Sequence, residues 1–528
     1  MTADAHTADI VLATLNARWT HASLGLRALR ANLGPLAARA RIEEATLSTP
    51  MEEVVARCLA GSPRIIGLGV YIWNVTQTTE LVRQLRAAAP QVRIVLGGPE
   101  VSHETEAQEI VRLADHVITG AGEQAFARLA LQLLEGPRPL QKRIAGGDPD
   151  PETLQLPYDE YTDTDIAHRH LYVEASRGCP FRCEFCLSAL DRSARPFPLD
   201  EFLAALSRLY ARGARRFRFV DRTFNLRIET AQRILRLLLD WVEAAPDSAL
   251  FAHFELIPDR LPEALRALIV RFPPGVLQFE IGIQTWNPEV QARISRKQDN
   301  ARAADTLAWL RQHTQAHLHV DLIAGLPGET LASFGTGFDR LIQLNPHEIQ
   351  VGLLKRLRGA PIRRHTEAFG MDYADAPPYE VRSTHALSAT EVAQIRRFAR
   401  YWDLIGNSGR FPRTLPALLG DAPFERFLAL SDHLWDTLGA THRVSAEALA
   451  DAVWQWLSID AEAGTPSELR ERLIADYAQS GARGRPAFLE RGLAGGASAA
   501  GSRQLRHVAQ TDAGAIPELS APALPSVP

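Results

Sequence analysis

The sequence predicts an α/β protein in three parts: a doubly wound parallel-sheet domain over residues 1–145, a six-unit partial β/α barrel over 166–375, and a mainly helical domain over 376–482. Three observations predict this. Apolar runs of strand length alternate with amphipathic helical stretches, in two separate series. The turn-rich run Gly146-Gly147-Asp148-Pro149-Asp150-Pro151 divides the two series and opens a linker over 146–165. Beyond about residue 376 helical periodicity continues without strands. At 528 residues the chain is long enough for about three domains, each with its own core.

In the first series, strand-like runs fall at 9–15, 40–47, 64–70, 92–96 and 116–118. Helical patterns lie at 24–33, 51–59, 77–88, 104–114 and 124–134. Five alternating units predict a Rossmann-like sheet covered on both faces. Ligands of such sheets bind beyond the carboxyl ends of the strands. The residues there include Trp73, Gly97-Gly98-Pro99-Glu100-Val101-Ser102 and Gly120-Ala121-Gly122-Glu123. Glycines in these turns let a backbone approach a large ligand closely. No G-x-G-x-x-G follows the first strand, which argues against a dinucleotide.

The second series has strand candidates at 171–176, 216–220, 250–256, 277–283, 316–326 and 348–354. Helical patterns fill the gaps at 199–211, 228–243, 261–270, 301–312 and 330–344. Six such units make a partial, TIM-like barrel, whose active site belongs at the carboxyl ends of its strands.

The first of these strands leads into Cys179-Pro180-Phe181-Arg182-Cys183-Glu184-Phe185-Cys186, which holds three of the four cysteines of the chain. Net charge is −4 and the acids and arginines are interspersed, so no nucleic-acid footprint is evident. No apolar run is long enough to span a bilayer, and the start of the chain has no signal-peptide pattern. The expected compartment is the cytoplasm, where a thiol cluster reads as metal-binding. Three thiolates on one short loop ligate three irons of a cubane 4Fe-4S cluster and leave the fourth iron open. Zinc is the competing reading, with His168 or His170 as the further ligand, but structural zinc usually takes two separated pairs. Cys58 lies in an apolar helical stretch and is expected to be buried filler.

Together, Leu96-Gly97-Gly98-Pro99-Glu100-Val101, Thr119-Gly120-Ala121-Gly122-Glu123 and the following C-x3-C-x2-C loop resemble the cobalamin-dependent radical SAM proteins. The resemblance implies three cofactors: a 4Fe-4S cluster held by Cys179, Cys183 and Cys186, S-adenosyl-L-methionine (SAM) on the open iron, and cobalamin on the first domain. It implies SAM contacts at Asp221, Glu255, Gln284, Arg296 and Leu326. Cobalamin contacts are implied at Trp73, Gly97, Gly98, Pro99, Gly120, Gly122 and Glu123. Two departures matter. The D-x-H-x-x-G run that would supply a cobalt-ligating histidine is absent, and Asp221-Arg222-Thr223 stands where the family often has G-G-E.

As an expectation, the resemblance gives methylation of an unactivated carbon on a small-molecule or peptide substrate. A reductant such as flavodoxin or ferredoxin would serve as partner. A cyclase or rearrangement enzyme with the same cofactors is the alternative, and a non-catalytic cobalamin or redox sensor the third. After the barrel, helices are expected at 389–401, 416–428, 445–457 and 466–477, the first opened by the N-cap sequence Ser388-Ala389-Thr390-Glu391. The loop Asn407-Ser408-Gly409-Arg410-Phe411 follows the first of these and is expected to be a plain loop, with a position facing the substrate as the alternative; the C-terminal domain carries no chemical motif. The Ala-, Gly-, Ser- and Pro-rich tail over 483–528 is expected to be disordered.

Overall fold

The computed structural model describes residues 8–459, 464–489, 503–504 and 506–507. Its first unit is a parallel sheet of β1 (Ile10–Asn16), β2 (Ala40–Thr46), β3 (Ile65–Gly69), β4 (Arg93–Gly97), β5 (His116–Thr119) and β6 (Arg143–Ala145), ordered β2-β1-β3-β4-β5-β6. Alternation along β1 shows why both faces are covered. Val11, Ala13 and Leu15 join one core with Leu81 and Leu85, while Ile10 and Leu12 join the other with Leu26 and Phe126. The sheet thus has one strand more than the alternation predicts. β6 is only three residues long and has no apolar run to announce it. The helix expected over 104–114 is also interrupted. Glu104 is left-handed (φ 50°) and Gln108 is extended, its amide donating to Glu100 O and His103 O.

The second unit begins with β7 (Leu171–Val173), followed by an antiparallel ribbon of β8 (Ser176–Arg177) and β9 (Arg195–Pro196). The single strand expected over 171–176 is therefore broken. Then come β10 (Arg216–Phe219), β11 (Phe251–Leu256), β12 (Leu277–Gln284), β13 (His317–Ala324) and β14 (Glu348–Leu353). They form an open, all-parallel sheet in the order β14-β13-β12-β11-β10-β7. This is the six-unit partial barrel, with helices outside. In β12 the outward residues Leu277, Phe279, Ile281 and Ile283 are buried, while Gln278, Glu280, Gly282 and Gln284 face the lumen half-buried.

An open barrel has two free edges, and side chains cap both. Tyr161 OH donates to Tyr172 O and accepts from Tyr172 N, and Tyr158 OH does the same with Glu174 O and N, all within 2.7–3.1 Å. Both tyrosines are fully buried, so the stretch 146–165, expected as a polar linker, packs into the barrel core over its second half. On β14, the Asn407 amide donates to Ile349 O at 2.9 Å and accepts from Ile349 N at 2.8 Å. That gives the loop after the first C-terminal helix a structural task.

The C-terminal helices run over Ala389–Leu404, Leu415–Leu419, Pro423–Leu438, Ala446–Ile459 and Pro466–Gln479. Ser388 and Glu391 form a reciprocal capping box on the first. The helix expected over 416–428 is split, because Gly420 (φ 51°) ends one segment and Pro423 opens the next. Phe398, Trp402, Phe424 and Phe427 gather around Phe338 of the barrel. A small hairpin of β15 (Asp372–Tyr373) and β16 (Val381–Ser383) connects barrel and helices. Part of the tail departs from expected disorder. Arg503 bonds Glu348 at 2.8 Å and Asp403 at 2.7 Å, and His507 is buried against Asn407 O. Residues 490–502, 505 and 508–528 of that tail lie outside the described residues.

Candidate active site

The cysteine loop is the excursion between β8 and β9. Gly178 (φ 93°) opens it where a Cβ would press on Asp191 and Ala194. Cys179 N donates to Asp191 O at 2.7 Å, Cys186 N to Cys183 O at 3.1 Å, and Glu184 N to Ile294 O at 3.0 Å. Cys179 is buried, Cys183 and Cys186 half-buried. Burial pushes the Cys179 and Cys183 thiols up, and at Cys183 the Arg296 guanidinium opposes it, with Nη1 3.5 Å from Sγ. Among the described residues no three His, Cys, Asp or Glu side chains converge as ligands of a single ion. A cubane asks for something different, one thiolate on each of three irons, and a loop with three thiols and an adjacent cation fits it. His168 and His170 lie elsewhere: His170 N bonds Thr20 O at 2.8 Å, and the His168 ring sits 6.3 Å from Trp19. Cys58 is fully buried in the first domain.

The residues expected to hold SAM fall around the loop. Arg296 also donates to Gly282 O and to Gln298 at 2.9 Å, tying Cys183 to the end of β12. Gln284 sits at a bulge in β12 with φ 70°, and its buried Oε1 has no hydrogen-bond partner. Asp321, in register with Gly282, has an Oδ1 without a hydrogen-bond partner, 3.6 Å from His319 Nε2, and burial drives its carboxyl well up. An unpaired amide oxygen and a buried carboxyl, which can accept or donate, fit the hydroxyl groups of a ligand.

Glu255, Glu280 and His319 lie side by side across β11, β12 and β13. Burial pushes Glu255 up to about 7, opposed by Arg222 at 2.7 Å and reinforced by Glu280. Burial acts most strongly on Glu280, but His253 at 3.1 Å, His319 and Arg222 together outweigh it and hold that carboxyl low. Asp221 spends its oxygens on Ala175 N (2.9 Å) and Ser176 Oγ (2.7 Å), fixing the strand end that leads into the cysteine loop. Leu326 is fully buried with Val290, Ile294, Leu354 and Ile362, and Phe185 of the loop packs on the same cluster.

On the first domain, Gly97 ends β4, and Gly98 (φ 111°) lies where a Cβ would overlap Val70 O. Pro99 starts a short turn that buries Glu100. Gly120 (φ 82°) donates to Ser102 Oγ at 3.1 Å, and Gly122 caps the helix opened by Glu123. Trp73 stacks on Tyr71 at 4.4 Å and is 47% exposed, as is Trp19 at 49%. Large apolar surfaces left open at strand ends mark a place for a ligand or partner.

The two strand edges face each other. At the β7 side of the open barrel, Arg177 bonds Glu123 at 2.8 Å, Arg169 bonds Glu44 at 2.7 Å, and His21 shares a 2.6 Å hydrogen bond with Tyr172 OH. Beyond β14, Glu100 accepts from Arg358 at 2.8 Å and from Tyr379 OH at 2.6 Å. The first domain therefore spans the gap between the barrel's two edges. Sequence reasoning missed Asp321, Arg222, Arg177 and the role of Glu184. Asp321 had a signal, since its charge repeats the lumen-facing alternation of His317 and His319.

Family models match the chain as a B12 binding domain over residues 10–130 and as the Radical SAM superfamily over 173–340. This is a B12-binding radical SAM protein. Its two domains take the cofactors of their families: cobalamin, SAM and a 4Fe-4S cluster. Residues 367–518 match a protein family of unknown function, DUF4080. The B12-binding radical SAM protein is 24% identical over 401 residues to the cobalamin-dependent radical SAM methyltransferase TokK of Streptomyces tokunonensis, which covers 65% of this chain and 57% of TokK. It spans between 16% and 61% of the length of the first curated relatives it matches. In fold it is similar to the cobalamin-dependent S-adenosylmethionine radical enzyme OxsB, with TM-score 0.59, 14% identity and coverage of 89% of this chain and 83% of that one. The methyltransferase TsrM of Kitasatospora setae gives TM-score 0.55 at 17% identity, covering 70% of this chain and 82% of that one.

Proposed function

We propose that this protein is a cobalamin-dependent radical SAM methyltransferase acting on an unactivated carbon of a small-molecule or peptide substrate. The carrying observation is the Arg177–Glu123 bridge, which joins the residue two before Cys179 to the B12-binding domain's strand edge. When bound, the cluster and SAM supply a 5′-deoxyadenosyl radical, and cobalamin supplies a methyl group.

The chain's own residues set the stage for this. Cys179, Cys183 and Cys186 hold the cluster from one loop, and Arg296 places positive charge at Cys183. Gln284 offers an unpaired amide oxygen, and Asp321 a carboxyl oxygen without a hydrogen bond, to SAM hydroxyls. Gly98 and Gly120 keep the first domain's turns bare of side chains, and Trp73, after β3, presents an exposed apolar face. The first domain bridges both edges of the open barrel, a placement that would limit water in the space where a radical would form. A reductant such as flavodoxin or ferredoxin would supply the electron, in the cytoplasm.

The test is anaerobic reconstitution with cluster, cobalamin and trideuteromethyl SAM, reduced chemically and offered metabolite and peptide fractions. The expected result is 5′-deoxyadenosine and S-adenosylhomocysteine together, with a labelled product. 5′-Deoxyadenosine without S-adenosylhomocysteine would replace methyl transfer by cyclisation or rearrangement, and neither product would leave a sensor.

A further inference from the structure

Two carboxylates are buried, one in each α/β unit, and a single short segment partners both. Glu100, in the turn after β4, is 4% exposed, and Glu184, between Cys183 and Cys186, is 3% exposed. Glu100 accepts from Arg358 Nε at 2.8 Å and from Tyr379 OH, which also accepts from Arg358 Nη2 at 3.1 Å. Arg356 reaches Glu104 of the same turn at 3.2 Å. Glu184 accepts from His365 Nε2 at 2.8 Å, from Arg364, and from Ser295 Oγ at 2.5 Å. Its carbonyl accepts from Ile362 N at 2.9 Å.

The residues between these anchors have no slack. Gly359 (φ 84°) lies where a Cβ would overlap the His103 ring of the first domain. Ala360 and Ile362 are buried in an apolar cluster, and Phe185 and Leu187 of the cysteine-loop region pack on it. A segment pinned at both ends and close-packed in the middle moves as one body, because a dense interior passes displacement on rather than absorbing it.

We propose that residues 356–365 form a strap that sets the separation of the cysteine loop from the B12-binding edge, with Glu184 and Glu100 as its positioning residues. This rests on the reading that cofactors occupy those two edges. The first arm of its test uses the cofactor-free full chain and does not depend on methyl transfer.

In that arm, amide hydrogen exchange is compared in Arg358→Ala and Arg364→Ala. Arg358→Ala, which touches only the Glu100 end, should speed exchange in 179–186 about tenfold; Arg364→Ala should do the same in 97–104. If each variant loosens only its own end, the strap is overturned. The second arm reconstitutes the cluster in Arg358→Ala. Its reduced-cluster electron paramagnetic resonance spectrum should differ from wild type, and Arg358→Lys should restore it; an unchanged spectrum counts against the strap. Should Arg358→Ala fail to fold, Tyr379→Phe removes only the hydroxyl on Glu100 and carries the same comparisons.

Discussion

Arg177 Nη1 lies 2.8 Å from Oε1 of Glu123, and the same guanidinium bonds Glu174 through Nε and Nη2. One side chain at the mouth of the cysteine loop thus joins the end of β7 to the first helix turn after β5. Glu123 is buried, so the pair is well shielded from solvent.

A double-mutant cycle with Arg177→Met and Glu123→Gln, read by urea unfolding, should give a coupling energy of about 1–3 kcal/mol. Arg177→Met alone should also lower cobalamin affinity, measured by titration of the corrin absorbance, without altering iron content.

Replacement of any one of Cys179, Cys183 or Cys186 by Ala should abolish the broad iron–sulfur absorbance after anaerobic reconstitution. Cys58→Ala should retain it, since Cys58 is buried filler whose thiol burial pushes up to about 12. Iron chelation should remove the absorbance from wild type and leave cobalamin binding in place.

Burial pushes the Asp221 carboxyl up to about 7, with Ser176 and Ala175 opposing. A carboxyl that binds its proton more tightly folded than unfolded favours the folded state most at low pH. That contribution declines from about pH 4, the ordinary carboxyl value, and is lost above about pH 7. Asp221→Asn removes the titration, so the variant should lose stability relative to wild type at pH 4.5 and recover relative to it at pH 8, by on the order of a few kcal/mol. Urea midpoints at the two pH values test this, and parallel profiles would sink it.

Tyr158→Phe and Tyr161→Phe each strip a residue at the β7 edge, Glu174 and Tyr172, of both a donor and an acceptor partner. Each should cost about 1–3 kcal/mol, because buried backbone groups are left unsatisfied. Calorimetric melting of the single variants would reveal it as a clear drop in Tm.

The alternation of strand-length apolar runs with helical stretches made both sheets legible: β1 and β3, covered on two faces, are apolar along most of their length, while β12 and β13 keep apolar residues outside and polar ones toward the lumen. What escaped were features decided by single side chains reaching across the chain. β7 breaks because Asp221, 46 residues on, captures Ala175 N. The helix at 104–114 breaks because Gln108 turns back on Glu100 and His103. In the site, the three cysteines were legible because their chemistry requires one loop. Glu184 stood in plain view between them, yet its partners lie 111 and 181 residues away at Ser295 and His365, and no local pattern encodes such pairings.

The caps on β7 and β14 have a consequence outside the chemistry. An open six-stranded sheet offers two rows of unpaired peptide groups, the usual template for recruiting a strand from another molecule. Tyr158 and Tyr161 occupy one row at Tyr172 and Glu174, and Asn407 occupies the other at Ile349. Where these caps sit, at Tyr172, Glu174 and Ile349, no foreign strand can pair, so the sheet can end at six strands without inviting strand exchange or fibre growth.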